Sequence, residues 1–232
     1  DAIGFNRLLG DLGTIYQPEI VFEATGVYSR RLQGFFEDKS YAYIRLNPLE
    51  SKKQLDSLRV RKTDKIDAEK LATSQFILNR KPSYVQEALY QELRDLSRFY
   101  QNLTEDIVCS KNRLHKVLQV PFPELENILS SPTGEQYWNL VMTLPCNSFV
   151  LELDNAALTA IIRQPTAKRI SEKHVTYLVD KLIKLANQSY CAVKKTSPMM
   201  EEVKYYAGEL LRLTEHRQGV LEEIVTMAQP LT

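Results

Sequence analysis

From Ala2 to Tyr16 the apolar residues Ile3, Phe5, Leu8, Leu9 and Leu12 recur at mainly helical spacing, and Gly13 marks an end, which predicts a first helix. After Pro18 the run Glu19 to Ala24 is short and rich in β-branched and aromatic side chains. It stops at Thr25-Gly26 and predicts a buried strand ending in a turn. Helical period returns from Tyr28 to Lys39 through Leu32, Phe35 and Phe36, and Tyr41 to Leu46 forms a second strand closed by Asn47-Pro48. A strand, helix, strand order makes a parallel pair with a right-handed crossover the natural reading.

Past Leu49 the pattern predicts no further strand. A helix spans Thr63 to Leu78 and runs out near Lys81-Pro82. A long helix follows, in which Leu89, Leu93, Leu96, Tyr100, Leu103 and Ile107 step by four and three before Leu114 and Val117 resume the seam. That spacing suits a coiled coil, with a partner helix from this chain or a second copy. Pro121 and Pro123 stop the helix, Ser130 to Gly134 is a loop, and three or four shorter helices lead to Arg169. Long amphipathic helices are predicted over Glu172 to Val193 and Pro198 to Met227. Residues 1–83 therefore read as an α/β domain and residues 84–232 as a helical one. Two parallel strands alone make a poor sheet, so further strands are expected upstream of residue 1.

Composition narrows the classes without choosing among them. The 232 residues carry apolar and charged fractions typical of a globular protein. With 30 Lys and Arg against 29 Asp and Glu, any basic footprint must be local. Cys109, Cys146 and Cys191 lack CxxC spacing, and His115, His174 and His216 are dispersed, so neither a disulfide framework nor a zinc site is read. No basic segment precedes an apolar run at the start and no stretch is long enough to span a bilayer; the expected location is cytoplasmic, with no membrane partner.

Three acids stand out. Glu23 closes the first strand, at the edge where open α/β sheets bind ligands, although an acid there can equally cap the next helix or pair with an arginine such as Arg30. Asp64 and Asp67, in RKTDKIDAEK, lie three apart and so share a helix face. They can hold a divalent cation together, or simply favour the positive start of a helix capped by Thr63 or Asp64. Basic residues gather around them: Arg45, Lys52, Lys53, Arg59, Arg61, Lys62, Lys65 and Lys70. Cations beside a carboxylate cluster suit a phosphodiester site, because they hold the polyanion while the acids hold the metal.

EATGVY (Glu23 to Tyr28), LNP (Leu46 to Pro48) and KTDKIDAEKLA (Lys62 to Ala72), in this order and separation, resemble the amino-terminal domain of the insertion-sequence one-hundred-and-ten family of transposases. The likeness covers residues 1 to 80; beyond 83 it is architectural only. It implies an α/β remnant of a RuvC-like, ribonuclease-H-type domain followed by a mostly helical, coiled-coil domain. It also implies a DEDD tetrad of acids binding Mg2+, in which Glu23, Asp64 and Asp67 match three members. The tetrad's first aspartate is expected upstream of residue 1, and the family's nucleophilic serine beyond Thr232, so the chain by itself is expected to be inactive. DNA, a guide RNA and a second copy joined through the helical domain are the implied partners, with Arg59, Arg61, Lys62 and Lys65 on nucleic acid.

If the acids share a metal, their oxygens are expected within about 4 to 6 Å of a common point, since magnesium takes ligands near 2 Å and often through water. Two other readings stand beside a DNA recombinase: a noncatalytic nucleic-acid-binding and dimerisation module, and a helical scaffold whose acids are only helix caps.

Overall fold

The computed structural model describes residues 1–55, 63–85, 87–163 and 170–231. They fall into two compact units, Asp1–Glu87 and Ala88–Thr232. Mostly helical, the described residues contain two strands, both in the first unit.

That unit runs α1 (Ala2–Gly13), β1 (Ile20–Glu23), α2 (Gly26–Asp38), β2 (Tyr43–Leu46), α3 (Pro48–Leu55) and α4 (Asp64–Leu78). The strands pair in parallel, with Ile20 opposite Tyr43, Val21 opposite Ile44, Phe22 opposite Arg45 and Glu23 opposite Leu46. Side chains alternate across a sheet, so each face collects its own partners. Phe22 and Tyr43 pack with Leu12 of α1 and Phe36 of α2. On the opposite face, Ile44 and Leu46 pack with Leu71 of α4, with Val21 beside them. A parallel pair, which needs cover on both sides, therefore has it from two different parts of the chain.

Two features differ from the pattern of the sequence. Helix α3 is additional: the Asn47 Oδ1 accepts from the Leu49 N–H at 2.9 Å and Pro48 follows as the first helical residue, a start signal carried by only two residues. The contacts also divide the chain after Glu87 rather than after residue 83. Ser83 is tied to β2, donating its N–H to the Tyr43 carbonyl at 2.8 Å and accepting on Oγ from the Arg45 N–H at 2.8 Å.

In the second unit, α5 (Ala88–Leu118) is followed by a 3-10 turn at Pro123–Asn127, α6 (Glu135–Thr143), α7 (Asn147–Leu151), α8 (Asn155–Ile162), α9 (Glu172–Gln188) and α10 (Pro198–Ala228). The four-three seam of α5 meets α10 of the same chain. Leu103, Ile107, Leu114 and Val117 are buried in one core with Val203, Ala207, Leu210, Leu213 and Val220. Ala192, shortly before α10 begins, donates its N–H to the Val120 carbonyl just past the end of α5 at 3.3 Å, and Arg217, further along α10, stands over the ring of Tyr100, further back in α5, at 5.8 Å, so the two helices are antiparallel. Leu96 and Tyr100 are half-buried against that core, while Leu89 and Leu93 are half-buried outside it. Helix α9 stops at Gln188 rather than Val193, because the buried Asn147 amide donates to the Ala186 carbonyl at 3.2 Å and to the Ser189 carbonyl at 2.9 Å, satisfying the helix end.

Tyr43 offers a test of the sheet's packing. Its hydroxyl donates to Glu37 Oε1 at 2.5 Å, and burial, then this bond to a carboxylate, hold the phenol's pKa well above its usual range. The folded state keeps the proton where the unfolded chain, with a phenol pKa of about 10, gives it up. The resulting stabilisation is present below about pH 10 and lost as pH climbs beyond it. Tyr43→Phe should cost about 1.5 to 3 kcal/mol at neutral pH. The gap between wild type and variant, followed by denaturant melts, should close above about pH 10; a gap that stays constant to pH 11 contradicts this account.

Candidate functional site

Glu23 is the last residue of β1, and the alternation that turns Phe22 toward α1 and α2 turns Val21 and Glu23 toward α4. Its register partner Leu46 packs with Leu71 on that same face. Glu23 is half-buried, and Oε2 accepts a hydrogen bond from the Ser51 hydroxyl at 2.9 Å.

Helix α4 reaches this edge through one stripe. Asp67, Leu71 and Gln75 are spaced by four and share a face. Gln75 is buried, and its Nε2 donates to Glu19 Oε2 at 3.0 Å, just before β1 begins. Leu71 packs midway along the sheet, on Ile44 and Leu46. The helix therefore runs antiparallel to the strands. From Gln75 back to Asp67 is about 12 Å of helix, and from Glu19 to Glu23 about 13 Å of strand. The first turn of α4, with Asp67 on the sheet-facing stripe, is thus directed toward the carboxyl end of β1.

Asp64, one turn before Asp67, is exposed, whereas Asp67 is half-buried. Thr63 caps the helix, its Oγ1 accepting from the Ile66 N–H at 3.3 Å. Two acids in this first turn also suit the positive end of the helix dipole. Hard carboxylate oxygens are the donors that magnesium takes, and Glu23 and Asp67 carry donors of that kind. The expected convergence of all three acids is not seen: among the described residues no group of three or more His, Cys, Asp or Glu side chains is placed to hold a metal ion. The reason is local: Asp64 faces solvent one turn before the half-buried Asp67.

The expected basic residues divide as sharply. Lys65 is exposed in the first turn of α4 and Lys52 is exposed on α3. Arg59, Arg61 and Lys62 lie outside the described residues. Arg45 alternates onto the opposite sheet face from Glu23, and its guanidinium donates to Gln33 Oε1 at 2.6 Å. Ser51 is the residue that sequence reasoning passed over. Its signal was the Asn47-Pro48 helix start, which places it one turn into α3.

Among the described residues no helix is long and apolar enough to cross a membrane. A family model for transposases, the DEDD group of the IS110 type, matches residues 1–123. The match takes in β1, β2, α4 and α5, with Glu23, Asp64 and Asp67 inside it. No curated protein matches the chain.

Proposed function

Because the chain belongs to the IS110-type DEDD transposase family, and its work is related to transposition, we propose that residues 1–83 form part of a RuvC-like domain that acts on DNA with magnesium. What supports this reading is the placement of α4: strand alternation turns Glu23 toward that helix, and Gln75 on Glu19 with Leu71 on the sheet directs its acidic first turn toward the carboxyl end of β1. Glu23 and Asp67 would hold the ion, with Asp64 as the more exposed third acid. When bound, magnesium supplies Lewis-acid polarisation of a phosphodiester.

The chain's own residues supply the rest of the site. Lys65, with Arg59, Arg61 and Lys62, would hold the DNA backbone through its phosphates, an attraction that does not depend on base sequence. Residues 84–232 would form the coiled-coil domain that pairs copies of the protein and contacts a guide RNA. The half-buried Leu89 and Leu93, outside the core shared by α5 and α10, are the part of the seam left for such a partner. The nucleophilic serine implied by the family likeness is assigned to no residue of this chain. A noncatalytic nucleic-acid-binding module is the second reading, favoured by the solvent-facing Asp64.

Calorimetric titration of Mg2+ separates the two. Glu23→Gln and Asp67→Asn should each weaken binding by at least about tenfold. Glu69→Gln, exposed on α4 and off the sheet-facing stripe, should leave it unchanged. Equal affinity in all four proteins favours the noncatalytic module. Nucleic-acid binding should meanwhile fall steeply between about 50 and 200 mM salt. Lys65→Ala should weaken all duplex sequences alike and reduce the salt slope by about 1. Fluorescence anisotropy that does not respond to ionic strength would reject phosphate contacts as the source of affinity.

A further inference from the structure

We propose that Ser51 is a positioning residue for the Glu23 carboxylate, holding one of its oxygens so that the other is presented to a cation. The inference rests on reading Glu23 as a metal ligand.

Ser51 is fully buried, at 0 % exposure. A hydroxyl removed from water is costly unless it is paired, and an alanine would fill the same place on α3 without that demand. The partner of this hydroxyl is Oε2 of Glu23, 2.9 Å away and 28 residues distant in sequence.

The backbone leading to Ser51 is fixed from the same strand end. Leu46 lies opposite Glu23 in the sheet. Asn47 follows it and starts α3 twice over, with Oδ1 accepting from the Leu49 N–H at 2.9 Å and its carbonyl accepting from the Ser51 N–H at 2.9 Å. Helix α3 in turn packs against α4, the helix that carries Asp67. The hydroxyl is therefore held by the elements that define the edge itself. A glutamate has several rotatable bonds, and a free one at the end of a strand samples many orientations. Restraining Oε2 leaves Oε1 as the oxygen open to an ion, in the way that hydrogen bonds behind a ligating carboxylate set its direction and affinity.

The test uses Mn2+ as the probe and the full 232-residue chain, with free aqua-Mn2+ counted by electron paramagnetic resonance. Wild type, Ser51→Ala, Glu23→Gln and the double variant complete a cycle, and circular dichroism melts check that each is folded. Ser51→Ala should weaken Mn2+ binding by about tenfold. The same change made in Glu23→Gln should have no further effect, because the carboxylate through which Ser51 acts is gone. Ser51→Thr, which keeps the hydroxyl, should bind within a few-fold of wild type. Should Ser51→Ala melt, Ser51→Cys replaces it, keeping the size and losing most of the donor strength.

Wild-type affinity in folded Ser51→Ala, alongside weakened binding in Glu23→Gln, overturns the role of Ser51 and leaves Glu23 as a ligand. An equal loss on removing Ser51 with or without the Glu23 carboxylate also overturns it, since packing alone would then explain the loss. Wild-type affinity in Glu23→Gln, or no uptake by the wild type, overturns the metal reading and this inference with it.

Discussion

A parallel pair of strands keeps its backbone and side chains out of water only when both faces are covered, and this demand organises Asp1–Glu87. With Phe22 and Tyr43 given to α1 and α2, the intervening positions Val21, Ile44 and Leu46 must find cover elsewhere, and α4 supplies it through Leu71. Glu23 belongs to this second set by alternation alone. The acid at the strand end therefore faces the helix whose first turn carries Asp64 and Asp67. Gln75, clamped to Glu19 at the far end, fixes how α4 lies along the sheet and directs its first turn toward the carboxyl edge.

Much of this was legible in the residues. The alternating and helical periods over Ile20–Glu23, Tyr43–Leu46 and Asp64–Leu78 locate the elements to within a few residues, since each buries a stripe whose spacing is its signature. Glu23, Asp64 and Asp67 stood out as acids at an element's end or start. Which face Glu23 takes was not legible, because two four-residue strands do not announce which side each helix will cover. Helix α3 is hidden for a related reason: its apolar pattern is short and its start depends on Asn47-Pro48, so nothing in the residue pattern marks Ser51 as buried. Arg45 shows the opposite error, since nearness in sequence grouped it with the acids while alternation sent it to Gln33 on the other face.

The helical unit follows the same logic at a larger scale. A seam stepping by four and three states that a stripe is apolar; it does not state whose helix covers it. From Leu103 to Val117 the cover is α10, folded back antiparallel. Cys146 and Cys191 were equally unreadable as a pair. They are 45 residues apart in sequence, yet their Sγ atoms lie 3.0 Å apart as free thiols, brought together where α7 begins and the chain leaves α9. Asn147, next to Cys146, ends α9 with its buried amide, so this junction depends on a single polar side chain that periodicity does not reveal.

The central claim is that Glu23 and Asp67 share one cation over the sheet face that α4 covers. Crystals of this chain soaked in Mn2+ and measured for anomalous scattering test it most directly. The account predicts an anomalous peak in reach of carboxylate oxygens of both Glu23 and Asp67, at the carboxyl end of β1. Mn2+ bound elsewhere with that edge empty, or held by Asp64 and Asp67 with Glu23 turned away, would contradict it.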